Sequence, residues 1–573
     1  MRYKANPVSQ GIAIGETFHY VPYAPVIAEG AIAESETAAA IAQYEAAKES
    51  AKAELEAIFA KLSVSDPEKA KIFTAHLDIL FDAAMDEDIR DDITYECFTP
   101  QWAIHKVFEK YIKVISKSKN EMIRERAADM RDVKTRLLRC LEGVPEKNLA
   151  TLTKPVVVVA YDLFPSDTAT LDRKNVLAII TEVGGATSHS AIIARSYEIP
   201  ALLGLADAMT TVPAAGDIIV DAVEGFLITD PTAKEIAAYE EKKADFAVKL
   251  AETKQYLGVV PKTADGVHIE VELNVGSASA QELEGSHYTD GVGLFRTEFI
   301  YMGKSQLPTE EEQMQIYKKV LTEFGDRPVT IRTLDIGGDK KLDCMELPVE
   351  ENPFLGNRAL RLCFSMPEVF KTQLRACLRA SVYGNLWLMF PMVGSIDDIR
   401  KAKAMVAEAQ AELTAEGIPY NKDMKIGIMI EIPSIALVAD LAAQEVDFAS
   451  IGTNDLTQYT TAVDRMNPAV SHYYQTYHPA MFRLIGYVVE QFNKAGKPIC
   501  VCGEMGGDKL AAPILIGLGM RRLSMGLASV AQIKKLLSGL TIPKAEELAA
   551  KVRTLATAGE AEDLIRQELS ELL

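Results

Sequence analysis

The sequence predicts a multidomain α/β protein: an N-terminal α/β domain carrying an inserted α-helical domain, followed by a C-terminal (β/α)8 barrel. Three observations predict it. Short β-branched runs separated by turns lie on both sides of an alanine-, glutamate- and lysine-rich stretch, about Glu34 to Leu141, whose apolar residues recur at helical spacing. One charged helical pattern, free of any long apolar face, follows from Pro231 to Leu257. Beyond it, apolar strand candidates recur with helical stretches between them, as repeating β/α units require. An open doubly wound sheet is the structural alternative for that last region.

Taken in order, "PVSQGIAIGETFHY" at residues 7–20 reads as a strand with a glycine turn, and residues 1–30 pair with 145–230 as one α/β domain. Residues 31–144 form the helical insert, broken at Asp66-Pro67. The segments "KPVVVVAYDLFPSDTATLDRKNVLAIITEVGG" and "GDIIVDAVEGFLITDP" return to strands. Residues 231–258 are a solvated connector helix that opens on a proline and stops at Gly258. Residues 259–573 supply the strands "VHIEVELNV", "GVGLF", "PVTIRTLDIGG", "LWLMFPMV", "KIGIMIEIP", "FASIGTND" and "PICVCGEMG".

Composition narrows the function classes. A chain of 573 residues, 48% hydrophobic and 25% charged, can bury large cores. A net charge of −20 argues against nonspecific nucleic-acid binding and favours a basic protein partner. No stretch has the length of an uncharged membrane helix and the N-terminus lacks a signal-peptide core, so the expected address is the cytoplasm, not a membrane. Cys97, Cys140, Cys344, Cys363, Cys377, Cys500 and Cys502 are scattered, without zinc-site pairs, and read as reduced thiols.

The stretch "TEVGGATSHSAIIARSYEIP" raises the first chemical question. Gly184 and Gly185 allow close backbone approach, Thr187 and Ser188 offer hydroxyls, and a helix begins at "SAIIARS", a setting where a phosphate could rest and His189 could accept a phosphoryl group. A cap or a satisfied polar group is the bland reading of the same histidine.

Each barrel strand read to its C-terminal end stops at a polar group: Arg296 after "GVGLF", Arg332 in "TIRTLDIGG", Glu431 after "GIMI", Asn454 and Asp455 after "SIGT", and Cys502 after "ICV". Arg296, Arg332, Arg358 and Arg465 match the oxygens of a small, multiply anionic substrate. Glu431 and Asp455 are hard ligands suited to Mg2+. An unperturbed thiol at Cys502 is protonated at neutral pH and can act as a general acid. Taken singly, each of these is better explained as an ion pair, a solvated strand end or core packing; their convergence at one end of the strands is what points to a site.

The stretches "GGATSHSAIIARSYEIPALLG", "RERAADMRDVKTRLL", "GVGLFRTEFIYM", "ENPFLGNRALRL", "SIGTNDLTQYTTAVDRMNP" and "VCGEMGGD", in this order, closely resemble Enzyme I of the bacterial sugar phosphotransferase system, the phosphoenolpyruvate-protein phosphotransferases. The resemblance implies phosphoryl transfer from phosphoenolpyruvate to His189, release of pyruvate, and transfer onward to a histidine of the carrier HPr. It implies that Arg296, Arg332, Arg465 and Asn454 bind the substrate with Arg358 in the same shell, that Glu431 and Asp455 hold Mg2+, that Cys502 protonates the enolate, and that Thr168 supports the phosphohistidine. It also implies a homodimer through the barrel and carrier docking on the insert. There "HLDILFDAAMDEDIRDD" sets Asp82, Asp86, Glu87, Asp88, Asp91 and Asp92 against one arginine, beside His76, Leu77 and Leu80, with Arg126 in the second helical motif; a merely solvated acidic face is the alternative.

Departures from the family pattern are Ala186 where a basic residue is usual, Asn357 in place of an aromatic, and Gln10 in place of a proline. Pyruvate phosphate dikinase and phosphoenolpyruvate synthase would need a nucleotide-binding domain, for which no segment is left over. An inactive paralogue would be expected to lack His189, an arginine or Cys502, and all are present.

Overall fold

The computed structural model describes every residue outside 22, 24, 26, 66, 116–120, 145–148, 150–151, 164–170, 172–173, 185–188, 198, 303, 305, 338–343, 346, 349 and 573, and every described side chain except those of 61–65, 67–72, 121–128, 189, 192, 193, 196, 281 and 468. The chain forms two compact units, Met1–Val248 and Lys249–Leu573.

The first unit is built on a mixed sheet of strands β1 (Arg2–Lys4), β2 (Asn6–Ser9), β3 (Ile12–Tyr20), β4 (Val156–Ala160), β5 (Val176–Thr181), β6 (Ala201–Leu203), β7 (Asp217–Asp221) and β8 (Phe226–Thr229). Their spatial order is β1-β8-β7-β3-β4-β5-β6-β2. The parallel run β3-β4-β5-β6 explains the continuous valines of β4. Val156 and Val158 pack on one face of the sheet and Val157 and Val159 on the other, so a strand covered on both sides has no polar alternation to show. The helix His189–Ser196 follows β5, so His189 stands at its first position.

Between β3 and β4 the chain leaves the sheet as the helices Thr37–Ser65, Pro67–Leu80, Ala83–Thr94, Pro100–Ile115 and Glu121–Leu141. They enclose a core of their own, with Tyr44, Leu55, Ile89, Phe108 and Leu137 buried together. The helix Ala233–Lys254 then shows little burial beyond Thr253, as its charge pattern requires.

The second unit is a closed, all-parallel barrel. Its strands are β9 (Glu270–Val275), β10 (Gly291–Arg296), β11 (Pro328–Arg332), β12 (Asn385–Phe390), β13 (Lys425–Ile430), β14 (Phe448–Ile451), β15 (Ile499–Val501) and β16 (Arg522–Met525). Closure rules out the open-sheet alternative. The strand β16, "RLSM", is absent from the sequence-based set. It is short and opens on an arginine, and only the barrel shows why: Arg522 turns inward to pair with Glu272 of β9.

Candidate active site

Alternation along the barrel strands decides which side chains reach the interior. Arg296 and Arg332 are the last residues of β10 and β11, and their backbones lie opposite each other in register. Glu431 follows β13 directly, Cys502 follows β15, and Asn454 and Asp455 occupy the first turn of the helix Thr453–Thr461 after β14. All therefore stand at the C-terminal end of the strands, the end at which barrel enzymes carry their chemistry.

The guanidiniums differ in what they hold. Arg332 gives Nη2 to Glu298 Oε1 at 2.8 Å and Nη1 to Asp335 Oδ2 at 2.8 Å. Arg358, 1% exposed, gives Nη2 to Asp335 Oδ1 at 2.9 Å and Nη1 to Asp455 Oδ1 at 3.2 Å, with Tyr459 Oη 3.3 Å away. Asp335 thus bridges two arginines. Arg465 Nη1 lies 3.6 Å from Asp455 Oδ1. Arg296 has no ion pair among the described residues and is the guanidinium with the least internal commitment. Buried Nε atoms of Arg332 and Arg358 lack partners among the described residues.

Thr297 Oγ1 donates to Arg332 O at 2.9 Å and receives Gln373 Nε2 at 3.2 Å, which fixes the end of β11. Asn454 accepts the Glu504 N–H through Oδ1 at 3.2 Å, joining the β14 and β15 ends.

Burial and the nearby Asp455 and Asp335 carboxylates push the Glu431 carboxyl up to about 8, against the opposing pull of Arg332 and Arg358. Its Oε1 accepts the Met392 N–H at 2.6 Å, and a Cβ at Gly452 would stand 2.8 Å from its Oε2, so only glycine admits the carboxylate there. A buried carboxyl raised by neighbouring carboxylates, as Glu431 is, is what a dication relieves, and the oxygen donors of Glu431 and Asp455 fit Mg2+. No group of three or more His, Cys, Asp or Glu that could hold a metal is present among the described residues.

Cys502, 2% exposed, is not the unperturbed thiol expected from sequence: burial pushes it up to about 11, with Ser450 and Arg332 pulling the other way. It is more firmly protonated at neutral pH than the sequence alone implies.

Family models match along the chain: the PEP-utilising enzyme N-terminal model over residues 4–126, its mobile-domain model over 152–225, and its PEP-binding-domain model over 251–542. A phosphoenolpyruvate-protein phosphotransferase of Priestia megaterium is 47% identical over 524 residues, 91% of either chain. The chain belongs to the phosphoenolpyruvate-protein phosphotransferase family. A second member, from Listeria innocua, is 43% identical over 571 residues, 99% of either chain. An NMR solution structure of Enzyme I is 40% identical, covers 43% of this chain and 99% of its own, and superposes with a TM-score of 0.36.

Within the family's mobile-domain match, Gly184 is described and has a φ of +109°, a conformation that favours glycine. Gly185, Ala186, Thr187, Ser188 and Thr168 lie outside the described residues, as does the His189 side chain.

The insert corrects one expectation. The acidic run is not opposed by one arginine alone. Lys48 Nζ reaches Asp86 at 2.6 Å, Lys110 reaches Asp88 at 2.7 Å and Lys106 reaches Asp92 at 2.9 Å, while Arg90 holds Asp86 and Glu45. Lysines from neighbouring helices, remote in sequence, supply the missing charge. Asp82 caps the helix Ala83–Thr94 by accepting the Met85 N–H at 2.9 Å. Leu80 belongs to the core, and His76, also buried, sets Nε2 3.4 Å from Asp129 Oδ1; Leu77 is half-buried and the Arg126 side chain lies outside the described residues.

Sequence reasoning missed Glu298 and Asp335. Each lies two or three residues beyond a strand-end arginine it had singled out, a spacing that was a usable signal.

Proposed function

We propose that the chain moves the phosphoryl group of phosphoenolpyruvate onto His189, releases pyruvate, and passes the group to a histidine of an HPr-type carrier, the entry step of phosphotransferase sugar uptake in the cytoplasm. The observation that carries the reading is the convergence of Arg296, Arg332, Arg358 and Arg465 with a protonated, buried thiol at the C-terminal mouth of the barrel.

In this reading Arg296, the least committed guanidinium, meets the phosphate first, and Arg332, Arg465 and Asn454 gather its remaining oxygens. Arg358 acts through its neighbours, holding Asp455 and, by way of Asp335, Arg332. Glu431 and Asp455 would hold Mg2+, which when bound neutralises phosphate charge. The His189 imidazole attacks phosphorus as the bond to the enol oxygen breaks. The enolate carbon then takes the Cys502 proton, a C–H bond forms, and pyruvate leaves a thiolate behind. Protonation draws the transfer forward, because the ketone is no longer a leaving group ready to return. Gly184, Gly185, Thr187, Ser188 and Thr168 support the phosphorylated imidazole.

The division of labour we propose assigns the histidine to residues 1–30 and 145–230, carrier docking to the helices of 31–144, the connector to 231–258, and phosphoenolpyruvate binding and dimerisation to 259–573. Exposed Leu437 and Leu441 on the barrel unit offer apolar area for a second copy.

Pyruvate release from phosphoenolpyruvate, followed with carrier present, tests the reading: chelation of divalent cations is expected to abolish it and Mg2+ to restore it. Unchanged release after chelation contradicts the assignment of Glu431 and Asp455.

A further inference from the structure

Below the catalytic mouth, the barrel interior holds a second set of ionisable groups that the reaction as described leaves idle. A cavity with room for about one water molecule is lined by Glu272, Thr330, Trp387, Ser450, Cys500 and Arg522. Glycine keeps it open: a Cβ on Gly293 would lie 2.5 Å from Ser524 Oγ and 2.7 Å from Glu272 Oε2. Cys500 Sγ is 3.3 Å from Glu272 Oε2, and Arg522 pairs with Glu272 from β16. Cys500 and Cys502 are two residues apart and so share the inward face, and Cys500 lies in register opposite Ser450 on β14. Ser450, 1% exposed, pulls the Cys502 thiol down against burial, and its hydroxyl has no hydrogen-bond partner among the described residues.

Each turnover takes one proton from Cys502, and a thiolate buried this deeply must be reprotonated before the next. We propose that Glu272, with Ser450 and the cavity water, forms a proton route through the N-terminal half of the barrel that recharges Cys502. The balance is simple: the thiolate takes the Ser450 hydroxyl proton, Ser450 takes one from the cavity water, and the water takes one from the Glu272 carboxyl, which refills from solvent at the strand N-termini. No electrons move. Burial pushes the Glu272 carboxyl above its usual range, against the opposing pull of Arg522. None of these groups touches the substrate; all act through Cys502, so the proposal rests on Cys502 being the acid.

Isotope trapping with the full-length enzyme tests it. Enzyme equilibrated in D2O is diluted into H2O, held for a varied delay, then given excess phosphoenolpyruvate and Mg2+, and deuterium in the methyl group of first-turnover pyruvate is read by mass spectrometry. The wild type is expected to lose its trapped deuterium with delay, and Glu272→Gln and Ser450→Ala to retain it on the order of tenfold longer. Because Glu272→Gln leaves Arg522 unpaired, Glu272→Gln with Arg522→Met repeats the measurement at balanced charge. Washout at the wild-type rate in all three variants overturns the route while leaving Cys502 as the acid. Trapping that survives in Cys502→Ala instead overturns the assignment of Cys502, and the route with it.

Discussion

Cys502 shows how far a residue's role depends on its surroundings. Its place at a strand end was legible in the sequence, but its proton affinity was not, because burial and the neighbouring Ser450 and Arg332 are products of the fold. With the thiol near 11, alkylation by iodoacetamide at pH 8 is expected to run roughly a hundredfold slower than for an unperturbed thiol, and to accelerate as pH rises toward 11. A rate like that of a free thiol at pH 8 would contradict the buried, protonated acid. The same context separates two arginines that look alike in sequence. Arg296→Met removes a cation without an ion-pair partner among the described residues, so it is expected to cut kcat/KM while leaving unfolding of the barrel unchanged. Arg332→Met also removes the cation facing Glu298 and Asp335, and is expected to cost about 3–5 kcal/mol of stability in addition. Equal stability of the two variants, measured by denaturant unfolding, would contradict that distinction.

At the scale of elements, strand ends were readable and contacts between elements were not. A period of two residues and an abrupt polar stop place Arg296, Arg332 and Glu431 without knowledge of any neighbour. The contact between Arg358 and Asp455 spans 97 residues, and nothing local announces it. The strand β16 was missed for the same reason, since Arg522 is tolerable in a barrel interior only because Glu272 waits for it on β9. In the helical insert the charge was legible in the sequence and its pairing was not. Its acidic run reads as a strong docking face, yet Lys48, Lys106 and Lys110 arrive from other helices to occupy Asp86, Asp92 and Asp88. Of the run, Glu87 and Asp91 are exposed and make no ion pair among the described residues, so if this face receives the proposed carrier they are the charges that steer it. Neutralising both, as Glu87→Gln with Asp91→Asn, is expected to slow carrier association a few-fold at low salt and to have no effect at high salt. Association unchanged at low salt, measured by stopped flow, would place the carrier on another face.

Across the whole molecule, the fold class follows from sequence because each region has one dominant period: helical in the insert, strand-like on either side of it, and alternating in the barrel. A net charge of −20 sets the chain apart from nucleic-acid binders, and no described helix is long and apolar enough to cross a membrane. His189 belongs to the unit Met1–Val248, while the arginines, Glu431, Asp455 and Cys502 belong to Lys249–Leu573, so in the function proposed above neither unit alone carries both phosphoryl acceptor and phosphoenolpyruvate site. The most direct measurement is therefore made on the full chain: incubation with Mg2+ and phosphoenolpyruvate radiolabelled in the phosphate, followed by mapping of the label to a peptide. Acid-labile, base-stable label on the peptide containing His189, absent from a folded His189→Ala variant, is the result expected. Undiminished labelling of His189→Ala, or label mapping to another peptide, would contradict the account.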